Sequence, residues 1–304
     1  MMYHRKHKPH IKRRPRMVPR QDDGLQVIRV GQKKNHFNDL YVEFLGMTWF
    51  EIGVFILIAY FLSNLAFALF YFYNFDGITG VRPGAFEDAF FFSVQTMATI
   101  GYGKMAPVSL PVNIAVSIEA LWGFSFFAVT TALVFAKFSQ PKARVLFSNV
   151  AVMGPHNGER YLMFRMANER SNRIVDAWAE LFLLRNEMTS EGTRSRKYYD
   201  LELVRTHVPL MQLSWTIMHK LDETSPLYGV SQDDLEKMEA EIIVSLHGHD
   251  ETMSQTIYAR HSWVADEILC HAVFEDILNR RDDGFVEVNY KLFHAVKRVG
   301  GEFG

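Results

Sequence analysis

A short segment between two long apolar runs constrains the fold more than any other feature of the chain. The runs cover 47–75 and 112–138, and each exceeds the roughly 20 apolar residues that a helix needs to cross a bilayer. The apolar segment at 86–99 is too short to span, and it leads directly into the residues T-I-G-Y-G at 99–103. Irregular backbone at membrane depth is tolerated only where it is buried in protein or lines water. The pattern therefore predicts two spans with a re-entrant pore loop between them.

The residues at 99–103 have the composition of an ion-selectivity filter. Backbone carbonyl oxygens in such a segment can replace the water around a potassium ion. The two glycines supply backbone freedom, and the threonine adds a hydroxyl oxygen at the inner end. We predict a filter of Thr99, Ile100, Gly101, Tyr102 and Gly103, with carbonyl or hydroxyl oxygens of the first four holding K⁺.

The segment before the filter is predicted to be a pore helix. Pro83 and Gly84 precede it, and Glu87 and Asp88 lie in its first turn, where acidic side chains complement the helix dipole. Its C-terminal end, with a partial negative charge, then points toward the membrane centre and favours a cation there.

The second long run holds the candidate pore-lining residues. Phe127, Thr131 and Phe135 fall on one helical stripe, and a ring of Phe135 side chains would close a pore by dewetting. The alternative is that Phe135 faces lipid or packs between helices. Gly123 interrupts the bulky side chains and is a candidate bend. Glu119 is costly in lipid, so we expect it either to hydrogen-bond behind the filter or to attract cations.

The distribution of basic residues predicts the orientation of the spans. Residues 1–20 are rich in Lys and Arg and contain no acidic residue, while Lys137, Lys142 and Arg144 follow the second span. The positive-inside rule then places both termini in the cytoplasm. The three basic residues after the span are also candidate contacts for anionic phospholipids. The alternative is that they only set the topology.

The sequence divides into three parts. A basic tail covers 1–35, a pore domain covers 36–138, and a β-rich domain covers 139–304. The pore domain begins with an amphipathic pattern at 36–45, which predicts a helix lying in the membrane interface, with packing on the soluble domain as the alternative.

The C-terminal part changes to strand-like runs separated by turn-rich stretches. About seven runs without long helices between them predict a β-sandwich. The runs are 144–152, 160–166, 174–184, 197–204, 210–218, 240–246 and 256–263. One short helix is predicted over 231–238, with Ser231 as its N-cap.

Several functional classes are disfavoured. The net charge of -1 argues against a nucleic-acid-binding protein, and the single cysteine, Cys270, excludes an internal disulfide. The scattered histidines are expected to be ordinary core or surface residues, with metal binding as the alternative. They are His247, His249, His261 and His271. A membrane-anchored receptor remains as another class, but it leaves the T-I-G-Y-G segment unexplained. An enzyme is disfavoured as well, because the sequence shows no evident pair of nucleophile and general base.

Four stretches resemble the inward-rectifier potassium channel family of the prokaryotic type. A-F-F-F-S-V-Q-T-M-A-T-I-G-Y-G at 89–103 is similar to that family's pore helix and filter, and F-A-K-F at 135–138 to its inner-helix exit. S-P-L-Y-G at 225–229 and A-R-H-S-W at 259–263 are typical of its soluble domain. The resemblance covers nearly the whole chain from about residue 36.

The resemblance implies a potassium-selective channel rather than an enzyme. It implies a homotetramer around one pore, an interfacial slide helix and an immunoglobulin-like cytoplasmic assembly. K⁺ is then the permeant ion, no organic cofactor is expected, and anionic phospholipids regulate the channel. The implied location is a bacterial inner membrane.

The resemblance also assigns roles to individual residues. Phe135 matches the family's gate at the inner-helix bundle crossing. Phe127 stands where strong rectifiers carry an acidic residue that traps Mg²⁺ or polyamines, so these blockers are candidate partners but strong voltage-dependent block is not expected. Gln95 and Met105 replace a Glu–Arg pair that braces the filter of eukaryotic members, and that brace is therefore absent.

Overall fold

The computed structural model describes Arg16 and residues 36–140, 143–280, 282 and 285–299. Two units divide the chain, one within Gly31–Gln140 and one within Pro141–Gly304, and Arg16 belongs to the second. Apart from Arg16, the predicted basic tail lies outside the described residues, and so does Lys142.

Four helices form the first unit. They are α1 (His36–Gly46), α2 (Trp49–Tyr73), α3 (Phe86–Met97) and α4 (Leu110–Phe138). By length and composition α2 and α4 can cross a membrane, and most of their surface is uncovered in the single chain. Two short strands, β1 (Ile78–Thr79) and β2 (Ala106–Pro107), pair antiparallel on either side of α3 in the sequence. The predicted order of span, short helix and span is confirmed.

The residues at each N-terminus favour the start of the two long helices, with a side-chain cap at α2 and a proline at α4. The Thr48 hydroxyl accepts a hydrogen bond from the Glu51 N–H at 3.2 Å, and the Glu51 carboxylate accepts one from the Thr48 N–H at 2.6 Å. This reciprocal pair satisfies two backbone donors that the first turn of α2 leaves without helical partners. Helix α4 follows Ser109 and has Pro111 in its first turn, where the missing N–H costs little.

A small apolar core joins α2, α3 and α4. Tyr71, Phe92 and Val112 are almost completely buried in it. The rings of Tyr71 and Phe92 meet edge to face, with centroids 5.0 Å apart, which is a favourable aromatic geometry. This core fixes α3 between the two long helices.

Two packed sheets and two small two-stranded sheets form the second unit. Its strands are β3 (Val145–Phe147), β4 (Ala151–His156), β5 (Glu159–Asn168), β6 (Ile174–Met188), β7 (Arg194–Asp200), β8 (His207–Met211), β9 (Ser214–Lys220), β10 (Glu241–Asp250), β11 (Gln255–Val264), β12 (Ile268–Cys270), β13 (Ala272–Phe274), β14 (Leu278–Arg280), β15 (Val286–Val288) and β16 (Val296–Arg298). One sheet has the order β11-β10-β6-β7, with β8 also on β6; the other has the order β12-β4-β5-β3, with β9 on β5. The small sheets are β13-β16 and β14-β15. The predicted β-sandwich is confirmed.

The two sheets pack face to face around a large tryptophan. Trp263 of β11 is fully buried, and its ring centroid lies 4.5 Å from that of Phe164 on β5 of the other sheet. Its indole N–H donates to the Ser148 carbonyl oxygen at 2.8 Å, so the polar end of the side chain is also satisfied. The pair ties the sheets together at the centre of the sandwich.

The strand boundaries differ from the prediction in two places. The predicted run 210–218 falls on the end of β8 and on β9. The predicted run 144–152 is two strands, β3 and β4, separated around Ser148. The Ser148 hydroxyl donates to the Val150 carbonyl oxygen at 2.8 Å, and this local side-chain bond competes with the regular ladder. The short helix α5 (Gln232–Lys237) forms as predicted, with Ser231 as its N-cap.

Candidate functional site

Helix α3 holds the start of the 99–103 segment in place. It begins at Phe86, and the guanidinium of Arg82, which precedes the helix, binds the carboxylate of Asp88 in its first turn at 2.7 Å. At the other end, the Ile100 N–H donates to the Gln95 carbonyl oxygen at 2.8 Å. The segment therefore leaves the helix in a fixed direction.

The backbone of the segment alternates in conformation. Thr99, Gly101 and Gly103 have positive φ angles of 56°, 57° and 79°, whereas Ile100 and Tyr102 between them do not. In an ordinary strand, successive carbonyl groups point to opposite sides. Reversing the sign of φ at every second residue turns alternate peptide groups over, so that successive carbonyls share a side. Thr99 adopts this conformation without the freedom of glycine, and such strain is typical of functional sites.

The carbonyl oxygens of 99–103 have no partner in the described part of the chain. No hydrogen bond between described residues reaches them, and the whole segment is exposed in the single chain. Tyr102 is 75% exposed. Unpaired backbone groups are not tolerated against lipid, so in a membrane they must be covered by protein or must line water. An array of free carbonyl oxygens is a suitable set of ligands for a hard cation such as K⁺.

The return of the chain after the segment is also fixed. Gly80 has a φ of +77°, and a Cβ atom placed there would lie 1.8 Å from the Lys104 carbonyl oxygen. Only glycine permits this close approach of the two backbones. The pairing of β1 with β2 continues the contact and positions the far end of the 99–103 segment.

The predicted stripe on α4 lies on the surface of the single chain. Phe127, Thr131 and Phe135 are all exposed, the last by 68%. The ring of Phe127 also approaches that of Tyr60 on α2, with centroids 6.4 Å apart. The stripe is therefore available to face either an oligomer axis or lipid.

Gly123 and Glu119 lie on a different face of α4, turned toward α2 and α3. At Gly123 a Cβ atom would lie 2.6 Å from the Met97 carbonyl oxygen, and α4 runs unbroken through this position. The glycine permits close packing of α4 on the end of α3, and the bend at Gly123 stays a prediction. Glu119 is fully buried and bonds to Tyr71 and Ser93. Of the two alternatives for Glu119, the structure shows the hydrogen-bonding one.

The three candidate lipid contacts have different surroundings. Lys137 is only 8% exposed, and its Nζ donates to the carbonyl oxygens of Leu45 and Met47, each at 2.5 Å. Arg144 is exposed, and Lys142 lies outside the described residues.

Sequence reasoning did not find the side chains that bond to Glu119. Asn64 and Ser93, for example, are fully buried and join Glu119 in one cluster. The available signal was the presence of isolated polar residues within apolar segments.

The candidate histidines do not form a metal centre in the part of the chain that the structure describes, where no group of three or more potential ligands occurs. His261 stacks on the ring of Phe147 at 4.9 Å and meets Trp263 edge-on at 4.7 Å. It therefore packs as an aromatic residue of the sandwich.

Comparison with known proteins covers both units. The sequence-family model for the inward rectifier potassium channel C-terminal domain matches residues 145–302. The family model for ion channels matches residues 46–140. Over 285 residues, 93% of the chain, the protein is 39% identical to the inward rectifier potassium channel Kirbac3.1 of Paramagnetospirillum magnetotacticum, of which 96% is covered. It is 34% identical over 238 residues, 73% of the chain, to inward rectifier potassium channel 4 of Homo sapiens, of which 52% is covered. The match thus spans about half the length of the human relative.

Proposed function

Because the chain belongs to the inward rectifier potassium channel family, we propose that it conducts K⁺ through a filter formed by residues 99–103. The observation that carries this proposal is the alternation of φ at Thr99, Gly101 and Gly103, together with carbonyl oxygens that no described residue engages. Such oxygens replace the hydration shell of K⁺ at little reorganisation cost.

A single chain offers only one wall of such a site. The exposure of the whole 99–103 segment supports assembly of several copies around an axis. Four copies, the number that the family resemblance implies, would surround each ion with rings of carbonyl oxygens. The Thr99 hydroxyl would add a ring at the inner end.

The exposed stripe on α4 is the proposed inner wall of the pore. Phe127, Thr131 and Phe135 would face the axis, and Phe135 near the end of α4 would form an apolar constriction. A ring of apolar side chains stops ions by excluding water, so movement of α4 would open and close the pore.

Regulation by anionic phospholipid is proposed to act at the end of α4. Lys142 and Arg144 follow this helix in the sequence and would gain about 1 kcal/mol each from an anionic membrane surface. A headgroup that reached Lys137 would compete with the carbonyls of Leu45 and Met47 and so would loosen α1 from α4. We propose a membrane orientation with both termini in the cytoplasm, in a bacterial inner membrane.

The test of conduction is uptake of radioactive rubidium into liposomes that contain the purified protein and an internal potassium load. Barium-sensitive uptake that sodium loading does not support is expected, and Gly101→Ala should abolish it while the oligomer persists. The residue would have to hold a φ of +57° with a side chain, which strains the filter. Selective uptake that survives this change would refute the filter assignment.

The lipid proposal has its own test in the same assay. Replacing Lys137, Lys142 and Arg144 together by Gln should flatten the response of rubidium uptake to added phosphoinositide. A control with Lys104→Gln, on the other side of the filter in the sequence, should keep the response. An unchanged dose response in the triple variant would show that these residues do not mediate lipid control.

A further inference from the structure

A fully buried polar cluster connects three helices of the first unit. Asn64 and Tyr71 belong to α2, Ser93 to α3 and Glu119 to α4, and each has no exposed surface. Because they are enclosed within one chain, their burial does not depend on assembly. The cluster is separate from the proposed ion pathway, and an acidic side chain in such a place needs an explanation.

The orientation of Asn64 follows from its hydrogen bonds. One group of its amide lies 2.8 Å from the Tyr60 carbonyl oxygen, which can only accept. That group must therefore be Nδ2, and it also faces the Met97 sulfur at 3.3 Å. The amide oxygen then points to the Ser93 hydroxyl at 3.1 Å. Since an amide oxygen only accepts, the single proton of Ser93 is donated to Asn64.

The remaining contact of Ser93 determines the state of Glu119. Ser93 Oγ also contacts Glu119 Oε1, and because the hydroxyl has one proton for two acceptors, both contacts are hydrogen bonds only if Ser93 accepts the second one. The proton of this bond must then come from Glu119. We infer that Glu119 is held as a neutral carboxylic acid, protonated on Oε1, and that it positions the pore helix α3 behind the filter.

The other partner of Glu119 fits this arrangement. The Tyr71 hydroxyl lies 2.5 Å from Oε2 and donates to it, as suits the carbonyl oxygen of a neutral acid. Among the described residues, the hydrogen bonds of Glu119 go only to Tyr71 on α2 and Ser93 on α3, and neither carries a positive charge. A carboxylate here would be an unpaired charge inside the membrane, which is far more costly than a hydrogen-bonded neutral acid.

The cluster gives Glu119 a structural connection to the filter. Ser93 lies in α3, whose C-terminal end leads directly into Thr99, and the Met97 contact of Asn64 is still closer to that end. Glu119 is thus a positioning residue that acts through α3, and it does not touch the ion. This inference rests on the proposed function of 99–103 as the filter.

Infrared spectroscopy of the reconstituted full-length protein tests the protonation directly and needs no ion flux. We expect a carbonyl stretching band of a carboxylic acid, sensitive to deuterium exchange, in the wild-type protein at about pH 7. The band should be missing in Glu119→Gln. A difference spectrum between the two proteins without this band would overturn the inference. If the band is present in protein whose rubidium uptake is not selective over sodium, the protonation of Glu119 stands and the filter proposal fails.

The positioning role is tested by comparing two substitutions. Glu119→Gln keeps a donor for Ser93 and an acceptor for Tyr71, so it should retain the K⁺ over Na⁺ selectivity of rubidium uptake. Glu119→Ala should lower that selectivity roughly tenfold, as expected for the loss of buried hydrogen bonds. Should Glu119→Ala fail to assemble, Ser93→Ala replaces it, with the same expected loss. Equal selectivity in the Ala and Gln proteins would contradict a positioning role.

Discussion

The ammonium group of Lys137 lies 2.5 Å from the carbonyl oxygen of Leu45, so the last turn of α4 is bonded to the last turn of α1. Carbonyls in the last turn of a helix lack helical partners, and a cation near them also complements the helix dipole. A second bond to the Met47 carbonyl places the same charge at the junction of α1 and α2. The amphipathic helix is thereby tied to the helix that carries Phe135.

Removing this charge should release α1. Lys137→Met deletes both hydrogen bonds, and bonds to charged groups contribute about 1.5–3 kcal/mol each when they are well shielded. We expect backbone hydrogen exchange in 40–47 to accelerate by at least roughly tenfold, as measured by mass spectrometry on the reconstituted protein. Arg144→Gln also removes one positive charge, but Arg144 makes neither of these two bonds, so hydrogen exchange in 40–47 should stay unchanged. Equal exchange in the wild-type and Lys137→Met proteins would contradict the role of the contact.

Gly123 is expected to tolerate no side chain. In Gly123→Ala the new methyl group would lie 2.6 Å from the Met97 carbonyl oxygen, so α4 must move away from α3 at a cost of about 1–3 kcal/mol. The expected result is a lower midpoint of thermal disassembly together with reduced selectivity of rubidium uptake. Gly53→Ala is the matched control, because a Cβ atom at Gly53 of α2 meets nothing within 4 Å. A Gly123→Ala protein as stable as the control would contradict the observed packing.

The gate assignment predicts a gain of function. Phe135→Ala removes the proposed apolar constriction and should raise resting rubidium uptake without altering selectivity. Val129→Ala, at an exposed position on another face of α4, should leave uptake unchanged. Unchanged or lower uptake in correctly assembled Phe135→Ala protein would place the gate elsewhere, with the filter as the next candidate.

Acid should destabilise the sandwich through His219. Its Nδ1 donates to the Glu202 carbonyl oxygen at 2.7 Å, its Nε2 lies 2.7 Å from Ser225 Oγ, and burial lowers the pKa of its imidazole below the usual value. Because the unfolded chain then binds a proton more readily than the folded one, the stability contribution is complete above about pH 6.5 and is lost as the pH falls through the folded pKa.

The measurement is the midpoint of thermal unfolding of the solubilised full-length protein between about pH 7.5 and about pH 5. His219→Asn, which keeps a donor for the Glu202 carbonyl, should show a smaller acid-induced decrease than the wild type. His156→Gln, at an exposed position, serves as the control. Parallel pH profiles for the wild-type and His219→Asn proteins would contradict this source of acid sensitivity.

The helical unit was predictable because membrane spans depend on length and hydropathy, which are local properties. Helix α1, the short α3 and the position of 99–103 follow from the same local patterns. The strands were less predictable: β3 and β4 read as one run because the hydroxyl of Ser148 interrupts the ladder in a way that hydrophobic alternation does not show.

The partners of individual polar residues on the spans could not be predicted. Glu119, Gly123 and Lys137 all lie on α4, and their roles depend on which face of that helix meets α2 and α3. Helical periodicity shows which residues share one face of a helix, but it does not show which neighbouring helix that face contacts. For this reason Glu119 was left with two alternatives, and the close contact of Gly123 with Met97 was not predicted.

Rubidium anomalous scattering from crystals of the protein tests the central claim most directly, because it does not require an open gate. The account predicts a row of anomalous peaks on the symmetry axis, each surrounded by carbonyl oxygens of Thr99, Ile100, Gly101 or Tyr102, and no such row in crystals grown in sodium alone. Carbonyls turned away from the axis without anomalous peaks in the rubidium crystals would contradict it.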